Sequence, residues 1–253
     1  MAPPRILSMH SHHPARIPAP LAPAIGNAMV VACVLGAIIG AAGTGIVAVL
    51  VHGGAGGGGA LGGGTLALYT YAVAVCAFHI LEFYITAHYN PTRLYDDSFL
   101  LQNGAEYLVA HCAGLAEHLL EMRFAPQLKT SWAGFMSGLM LVVAGQALRT
   151  LAMVHSGSNF SHRVAVEKRA DHELVRTGIY GMMRHPSYAG FYCWAIGTQV
   201  MLGNPLVALG FALKLHSFFS TRISDEEQHL ERFFGEAYVR YRRDVRSGVP
   251  LVR

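Results

Sequence analysis

Residues 188–221 read YAGFYCWAIGTQVMLGNPLVALGFALKLHSFFST, two apolar limbs that turn at Asn204-Pro205. A polar cluster stands at each end. Before the hairpin come His172-Glu173-Leu174-Val175, Gly178-Ile179-Tyr180 and Arg184-His185-Pro186-Ser187-Tyr188. After it come Arg222, Asp225, Glu226 and Glu227. An even number of crossings returns a chain to the side it left. Both clusters therefore face the same compartment and can build one site at a membrane surface.

Outward from this hairpin, composition points to a bilayer. The chain has 253 residues, 53% of them hydrophobic and 13% charged, with a mean hydropathy of +0.35. That is too apolar for an ordinary soluble domain. Three runs, Ala24–Val51, Thr65–Ala87 and Trp132–Val154, each exceed the roughly 20 residues a helix needs to cross hydrocarbon. The first lies behind a Pro-rich head, so it reads as a retained span and not as a signal peptide. Two weaker segments complete the set. Ser98–Leu120 carries Glu106, His111, Glu117 and His118, costly toward lipid but tolerable toward protein or a cavity. The limbs of the hairpin, roughly 16 to 18 residues each, are about 24–27 Å long as helix and lie at the edge of the bilayer. The expected fold is all-α: a multi-span integral membrane protein with about six transmembrane helices and a cytosol-facing C-terminal site. Residues 1–23 read as a disordered head, 24–155 as the transmembrane helices with their loops, and 156–253 as the region of the two polar clusters and the terminal helical hairpin.

Orientation follows from the basic residues. Arg5 and Arg16 precede the first span and Arg93 follows the second. Arg163, Lys168, Arg169, Arg176 and Arg184 lie between the third span and the hairpin, and the tail 222–253 is richer still. With six helices these regions share the cytosolic side, while Arg123 and Lys129 face the lumen. The net charge of +4 thus reflects topology, and no basic stripe suited to nucleic acid is visible.

Other features have plain readings. The run Gly53–Gly64 matches phosphate-loop spacings, but no strand precedes it and no acid follows at the right distance; it reads as a flexible lumenal linker. Cys33, Cys76, Cys112 and Cys193 sit singly in apolar segments and read as small buried residues. His10, His12 and His13 lie in the head, and no metal site is expected. Gly36/Gly40 and Gly134/Gly138 fit a small-residue packing motif, a weak signal in Gly-rich helices.

Ionisable groups inside spans are expensive without partners. His79 and Glu82, one turn apart in an apolar helix, either satisfy one another and a neighbouring helix or line a cavity. The functional reading is the default for such groups. Arg149 is similar, but it lies near a helix end, where it can snorkel to the interface. Between the last long span and the hairpin, Leu174-Val175 and Ile179-Tyr180 place buried-type residues around Gly178 in a polar loop. Pro186 then pushes His185 out of helical space and permits a helix to begin. Apolar walls, ring donors and backbone groups at a helix start suit a polar or charged small molecule.

The string Leu174-Val175-x-x-Gly178-Ile179-Tyr180-x-x-x-Arg184-His185-Pro186-Ser187-Tyr188 resembles that of the protein-S-isoprenylcysteine O-methyltransferase (isoprenylcysteine carboxyl methyltransferase) family. So do Trp194-x-Ile196-Gly197-Thr198-Gln199-Val200-Met201-Leu202-x-Asn204-Pro205 and Phe218-Phe219-x-x-Arg222. The likeness runs on through Glu226-Glu227, Phe233-Phe234-Gly235 and Tyr238 to Ser247-Gly248-Val249-Pro250. Upstream, Glu82-Phe83, Tyr89-Asn90-Pro91, Asp97-Ser98-Phe99-Leu100-Leu101 and Gly157-Ser158-Asn159-Phe160 also fit. The resemblance covers about residues 75–253. Its Arg-His-Pro-x-Tyr core is shared with a wider group of membrane methyltransferases.

The resemblance implies methyl transfer from S-adenosylmethionine to the free carboxylate of a C-terminal prenylated cysteine, on proteins of the small-GTPase type, at the endoplasmic reticulum membrane. By similarity Ala165, His172, Glu173, Leu174, Val175, Tyr180, His185, Pro186, Ser187, Tyr188 and Glu226 surround the cofactor. Leu174 and Val175 suit the adenine face, and Glu226 the ribose hydroxyls or the methionine amino group. Ala165 stands where the family carries a longer polar residue, so a contact there runs through the backbone. Arg222 is the candidate for holding the substrate carboxylate, with Arg184 in reserve, and His79 and Glu82 line the approach of the lipid-bearing substrate. The acid, with a pKa near 3.5, is already ionised and needs no general base. A phospholipid (amine) methyltransferase would share the cofactor cluster, and a membrane scaffold or transporter would use the intramembrane charges without it.

Overall fold

The computed structural model describes residues 22–53, 60–91, 94, 96–101, 103–129 and 131–252. The head up to residue 21, most of the glycine linker, and Arg93 lie outside them. All regular structure among the described residues is helical. The α-helices are α1 (Ala22–Gly53), α2 (Ala60–Tyr89), α3 (Ala105–Phe124), α4 (Trp132–Ser156), α5 (Pro186–Leu202), α6 (Pro205–Phe234) and α7 (Glu236–Asp244). Short 3-10 turns fall at Asp96–Phe99, Pro126–Lys129, Gly157–Asn159 and Gly178–Gly181. Four helices, α1, α2, α4 and α6, are long and apolar enough to cross a membrane.

The three long runs are found as α1, α2 and α4, and three expectations need correcting. The glycine linker is shorter than expected, because Gly62, Gly63 and Gly64 already belong to α2. A Cβ on Gly63 would stand 2.7 Å from the Lys129 carbonyl oxygen, so the helix start needs a bare backbone there. The segment expected over Ser98–Leu120 splits into the Asp96–Phe99 turn and α3. Leu100 (φ 56°) and Gly104 (φ 86°) take left-handed backbone and end the first piece. The second limb of the hairpin does not stop at Thr221. Nothing between Arg222 and Phe234 breaks a helix, and α6 runs 30 residues to a left-handed Gly235.

Two devices position the site. The first is a seam between α4 and α5. A Cβ on Gly138 would lie 2.2 Å from the Met201 nitrogen, and one on Gly145 would lie 2.5 Å from the Trp194 nitrogen. From the other side, a Cβ on Gly190 would lie 2.7 Å from the Arg149 nitrogen and one on Gly197 would lie 2.8 Å from Leu141 Cβ. Glycines seven apart on each helix thus bring two backbones into contact. Of the two weak small-residue motifs, a Cβ on Gly134 would meet only its own cap Ser131, and one on Gly36 or Gly40 would meet nothing within 4 Å.

The second device is a clasp on the α5–α6 turn. Lys129 Nζ donates to Leu202 O, Gly203 O and Asn204 Oδ1, each at 2.9 Å, and to Glu121 Oε2 at 2.6 Å. The Glu117 carboxylate of α3 accepts from the Leu206 and Val207 amides at 2.8 and 2.7 Å. A cation thus sits on the C-terminal carbonyls of α5 and an anion on the N-terminal amides of α6, each opposite the end charge of its helix. Lys129 is buried at this turn, where it shares Leu202 O with His118 Nδ1 at 3.0 Å.

Candidate functional site

The far ends of these helices meet at the site: the C-terminal ends of α2 and α4, the N-terminus of α5 and the second half of α6. The connecting loop is pinned at both ends of its path. Asn159 Oδ1 accepts from the Glu173 amide at 2.9 Å, and the Tyr180 hydroxyl donates to Ala152 O at 3.2 Å. His155 Nδ1 accepts from the Ile179 amide at 3.0 Å, where Gly178 (φ 60°) turns the chain against the imidazole. The Tyr241 hydroxyl of α7 donates to Tyr180 O at 2.7 Å. Burial pushes both phenols up, Tyr180 well above its ordinary range and Tyr241 to about 12, so both remain neutral donors.

The loop then meets the tail. The Arg184 and His185 amides donate to Arg246 O and Ser247 O at 2.8 and 2.9 Å. Val249 is buried with Ala189, Phe219 and Ile223, which holds the tail against α5 and α6. Pro186 opens α5 with no N–H to lose, leaving the His185 carbonyl to accept from Tyr188 and Ala189.

One contact network joins four of the expected site residues. The Tyr188 hydroxyl donates to Glu226 Oε2 at 2.6 Å, and Arg222 Nε donates to the same hydroxyl at 3.0 Å. Tyr188 stacks on His185 at 5.6 Å, and the Arg222 guanidinium lies 5.5 Å over the Tyr188 ring. Arg222 Nη2 donates to His162 O at 2.7 Å. Its Nη1 makes no hydrogen bond among the described residues, and Glu226 Oε1 makes none either. The network thus presents one unspent guanidinium nitrogen beside one unspent carboxylate oxygen, with Tyr188 between.

The remaining expected residues lie around it. His172 packs edge-on against Phe233 and Phe234, at 5.7 and 5.2 Å. Those rings are seven and eight residues past Glu226, about 10–12 Å along α6. Leu174 and Val175 are half-buried beside this end, Glu173 is exposed, and Ala165 is half-buried without a polar side chain. Pro186 and Ser187 are buried.

Two placements depart from expectation. Arg184, the reserve candidate, is buried and largely committed, with only Nη2 lacking a hydrogen-bond partner among the described residues. Its Nε donates to Glu227 Oε1 at 2.8 Å, its Nη1 to Arg242 O at 3.0 Å and also to Val245 O, and its side chain is 4% exposed. Glu227 also meets His185 Nε2 at 3.0 Å, so this carboxylate braces the loop. His79 and Glu82 do not line an open cavity. His79 Nδ1 is hydrogen-bonded to Phe99 O at 2.7 Å and Nε2 to the Tyr107 hydroxyl at 3.1 Å. Glu82 is 1% exposed, paired with Arg149 through two nitrogens and with His162 at 2.9 Å. Desolvation explains both, since a buried polar group must find a partner. His162 and Glu227 went unassigned in the sequence. Their partners lie 42 to 80 residues away, and no local spacing announces such contacts.

The chemistry on offer is narrow. A carboxylate flanked by aromatic rings fits a cationic or hydroxyl-bearing nucleoside, and an open guanidinium nitrogen fits a carboxylate. Both lie where a membrane-crossing helix leaves its apolar stretch. The Glu226 carboxylate offers an acceptor for hydroxyl or amino groups, and the rings of His172, Phe233 and Phe234 offer flat apolar faces. Among the described residues no cluster has the ligands of a metal ion.

Comparison with known proteins agrees. The profile of the isoprenylcysteine carboxyl methyltransferase (ICMT) family matches residues 138–232. The chain is 44% identical over 174 residues to protein-S-isoprenylcysteine O-methyltransferase of Saccharomyces cerevisiae, covering 66% of this chain and 73% of that protein. It is 45% identical over 170 residues to the Homo sapiens protein of the same name, covering 67% of this chain and 60% of that one. The solved structure of a eukaryotic intramembrane Ras methyltransferase, itself an isoprenylcysteine carboxyl methyltransferase, superposes with a TM-score of 0.74 at 36% identity. That superposition covers 75% of this chain and 68% of the other. With a relative this similar matched over more than two thirds of its length, this chain belongs to the isoprenylcysteine carboxyl methyltransferase family.

Proposed function

We propose that this protein methylates the carboxylate of a C-terminal prenylated cysteine, using S-adenosylmethionine, on proteins of the small-GTPase type. The single observation that carries the reading is the Tyr188 bridge, which sets Arg222 and Glu226 on either side of one hydroxyl. In this reading the chain crosses six times, with α3 and α5 beside the four long helices, and the basic loops favour the cytosolic side of the endoplasmic reticulum membrane for the site. The donor then arrives from water and the lipid-bearing acceptor from the bilayer.

When bound, S-adenosylmethionine supplies a methyl group on an electrophilic sulfonium. Glu226, the His185–Tyr188 stretch, Tyr180 and His172 to Val175 hold it, with Ala165 contributing only backbone. Arg222 Nη1 takes one oxygen of the acceptor carboxylate and leaves the other as the nucleophile, a division that a planar fork makes possible. The acid is ionised at neutral pH, so no base is required. What remains is alignment and the exclusion of water. The buried His185, Pro186 and Ser187 supply a dry floor for it.

The test is methyl transfer from labelled S-adenosylmethionine to N-acetyl-S-farnesylcysteine in membranes carrying the protein. Transfer to this acceptor and none to phosphatidylethanolamine is expected. Transfer only to the phospholipid amine, or to neither, overturns the proposal.

A further inference from the structure

Beneath the site a second set of polar groups touches neither donor nor acceptor in the assignment above. Arg149 stands in α4 and Glu82 in α2, both in membrane-crossing helices and at most 7% exposed. Arg149 donates Nε and Nη2 to the two oxygens of Glu82, the latter at 2.9 Å. Its Nη1 donates to Ser187 Oγ at 2.9 Å and, more weakly, to Ser187 O at 3.4 Å. The guanidinium is flanked by Phe78 and Phe191, at 5.4 and 5.6 Å, a slot that suits a flat fork and not an ammonium. On the other side, Glu82 Oε2 meets His162 Nε2 at 2.9 Å, and the His162 carbonyl accepts from Arg222 at 2.7 Å.

We propose that Glu82, Arg149 and His162 are positioning residues that hold the cofactor stretch and the acceptor-binding arginine in fixed relation. Their chain of contacts runs from Ser187 through Arg149, Glu82 and His162 to Arg222, and it rests on the assignment of Ser187 and Arg222 given above. A pair that merely joined α2 to α4 would need no third and fourth partner. Here both ends of the chain terminate on groups of the site. Ser187 stands between His185 and Tyr188, and Arg222 is aimed by two donated bonds, one to Tyr188 and one to His162. A buried ion pair is seldom retained for stability alone, because apolar residues of similar volume usually do as well. In-line transfer is sensitive to shifts of an ångström, and this chain ties Ser187 of the cofactor stretch to Arg222.

The test separates positioning from simple bracing. His162 is 21% exposed at its side chain, so its variants should fold. His162→Ala is expected to raise the KM for N-acetyl-S-farnesylcysteine and lower kcat, together about tenfold to a hundredfold in kcat/KM, with S-adenosylmethionine affinity unchanged. His162→Gln, which keeps a donor toward Glu82, should recover most of that loss. Replacing both buried charges, Glu82→Leu with Arg149→Met, should give a protein with a wild-type melting transition in detergent, weaker cofactor binding and about a hundredfold lower kcat. Near-normal turnover by the double variant, or by His162→Ala, overturns the proposal. If the double variant fails to fold, the two His162 variants still decide. Arg222→Lys measured in parallel keeps the two readings apart. Should it turn over normally, the role of Arg222 is wrong. Should it collapse while His162→Ala does not, only the positioning role is wrong.

Discussion

Replacing Lys129 by Met removes the cation from the α5–α6 clasp and leaves an apolar chain of similar length in its place. Four acceptors lose the ammonium at once: Gly203 O, Asn204 Oδ1, Glu121 Oε2 and Leu202 O, the last of which keeps His118 Nδ1 at 3.0 Å. Summing about 1.5–3 kcal/mol for each charge-assisted bond overcounts, because the four share one ammonium. The better measure is the removal of one partner from a buried ion pair, about 3–5 kcal/mol, applicable because the side chains of Lys129 and Glu121 are 1% and 16% exposed. The double change Lys129→Met with Glu121→Leu should recover part of this, since it spares the orphaned carboxylate but not the carbonyls. The assay is thermal unfolding in detergent, followed by size-exclusion profile and by surviving methyl transfer. Activity per folded molecule should be kept, since the clasp sits at the opposite end of α5 and α6 from Tyr188 and Arg222. A melting transition within about 1 kcal/mol of wild type would show that the clasp is not what holds the turn. Lost activity at full stability would show that the two ends of the hairpin are coupled.

Three further outcomes are expected. Glu226→Ala should weaken S-adenosylmethionine binding by about 1.5–3 kcal/mol; calorimetric titration showing unchanged affinity in a folded variant removes Glu226 from the site. Arg222→Lys should cut turnover steeply while cofactor binding holds, because the ammonium keeps the charge but loses the fork; near-normal turnover would make this arginine an interfacial anchor. Tyr241 carries a phenol pushed up to about 12 by burial, opposed by Arg184 and Arg176, against an ordinary value of 10.0. Its contribution to stability is therefore complete below the unfolded value and is lost as pH rises from about 10 toward 12. Tyr241→Phe should flatten the alkaline limb of the unfolding profile, and an unchanged limb would show that the phenol does not titrate with unfolding.

Much of this was legible in the chain, for identifiable reasons. The apolar runs at Ala24–Val51, Thr65–Ala87 and Trp132–Val154 announce helices because hydrocarbon tolerates nothing else. His185, Tyr188, Arg222 and Glu226 stand at the two ends of one hairpin, so chain direction alone brings them together. What stayed hidden depended on distant partners. Glu82 looked like a lining residue because a carboxylate in a span must be used somehow, yet its user, Arg149, is 67 residues away. That Lys129 would be buried was not visible either, since only the folded turn shows the acceptors gathered around it. The extent of α6 was underestimated for a simpler reason. Polar residues were taken to end a membrane limb, whereas a helix ends only where backbone chemistry ends it, here at Gly235.

The glycine seam between α4 and α5 also limits how a lipid-tailed substrate can reach the site. Two helices whose backbones touch at four glycines cannot part slightly: the first ångström of separation forfeits the dispersion contacts of the whole line. Arg149 and Ser187 ride on this fused pair, so the floor beneath the donor moves as a single plank. α3 is held by polar contacts instead: Tyr107 to His79, His111 to Tyr71 and His118 to Gly64 O on the α2 side, and Gly114 O and Glu117 at the start of α6. With no passage between α4 and α5, a prenyl chain arriving from the bilayer comes in by another side, and the floor beneath the reacting atoms stays still.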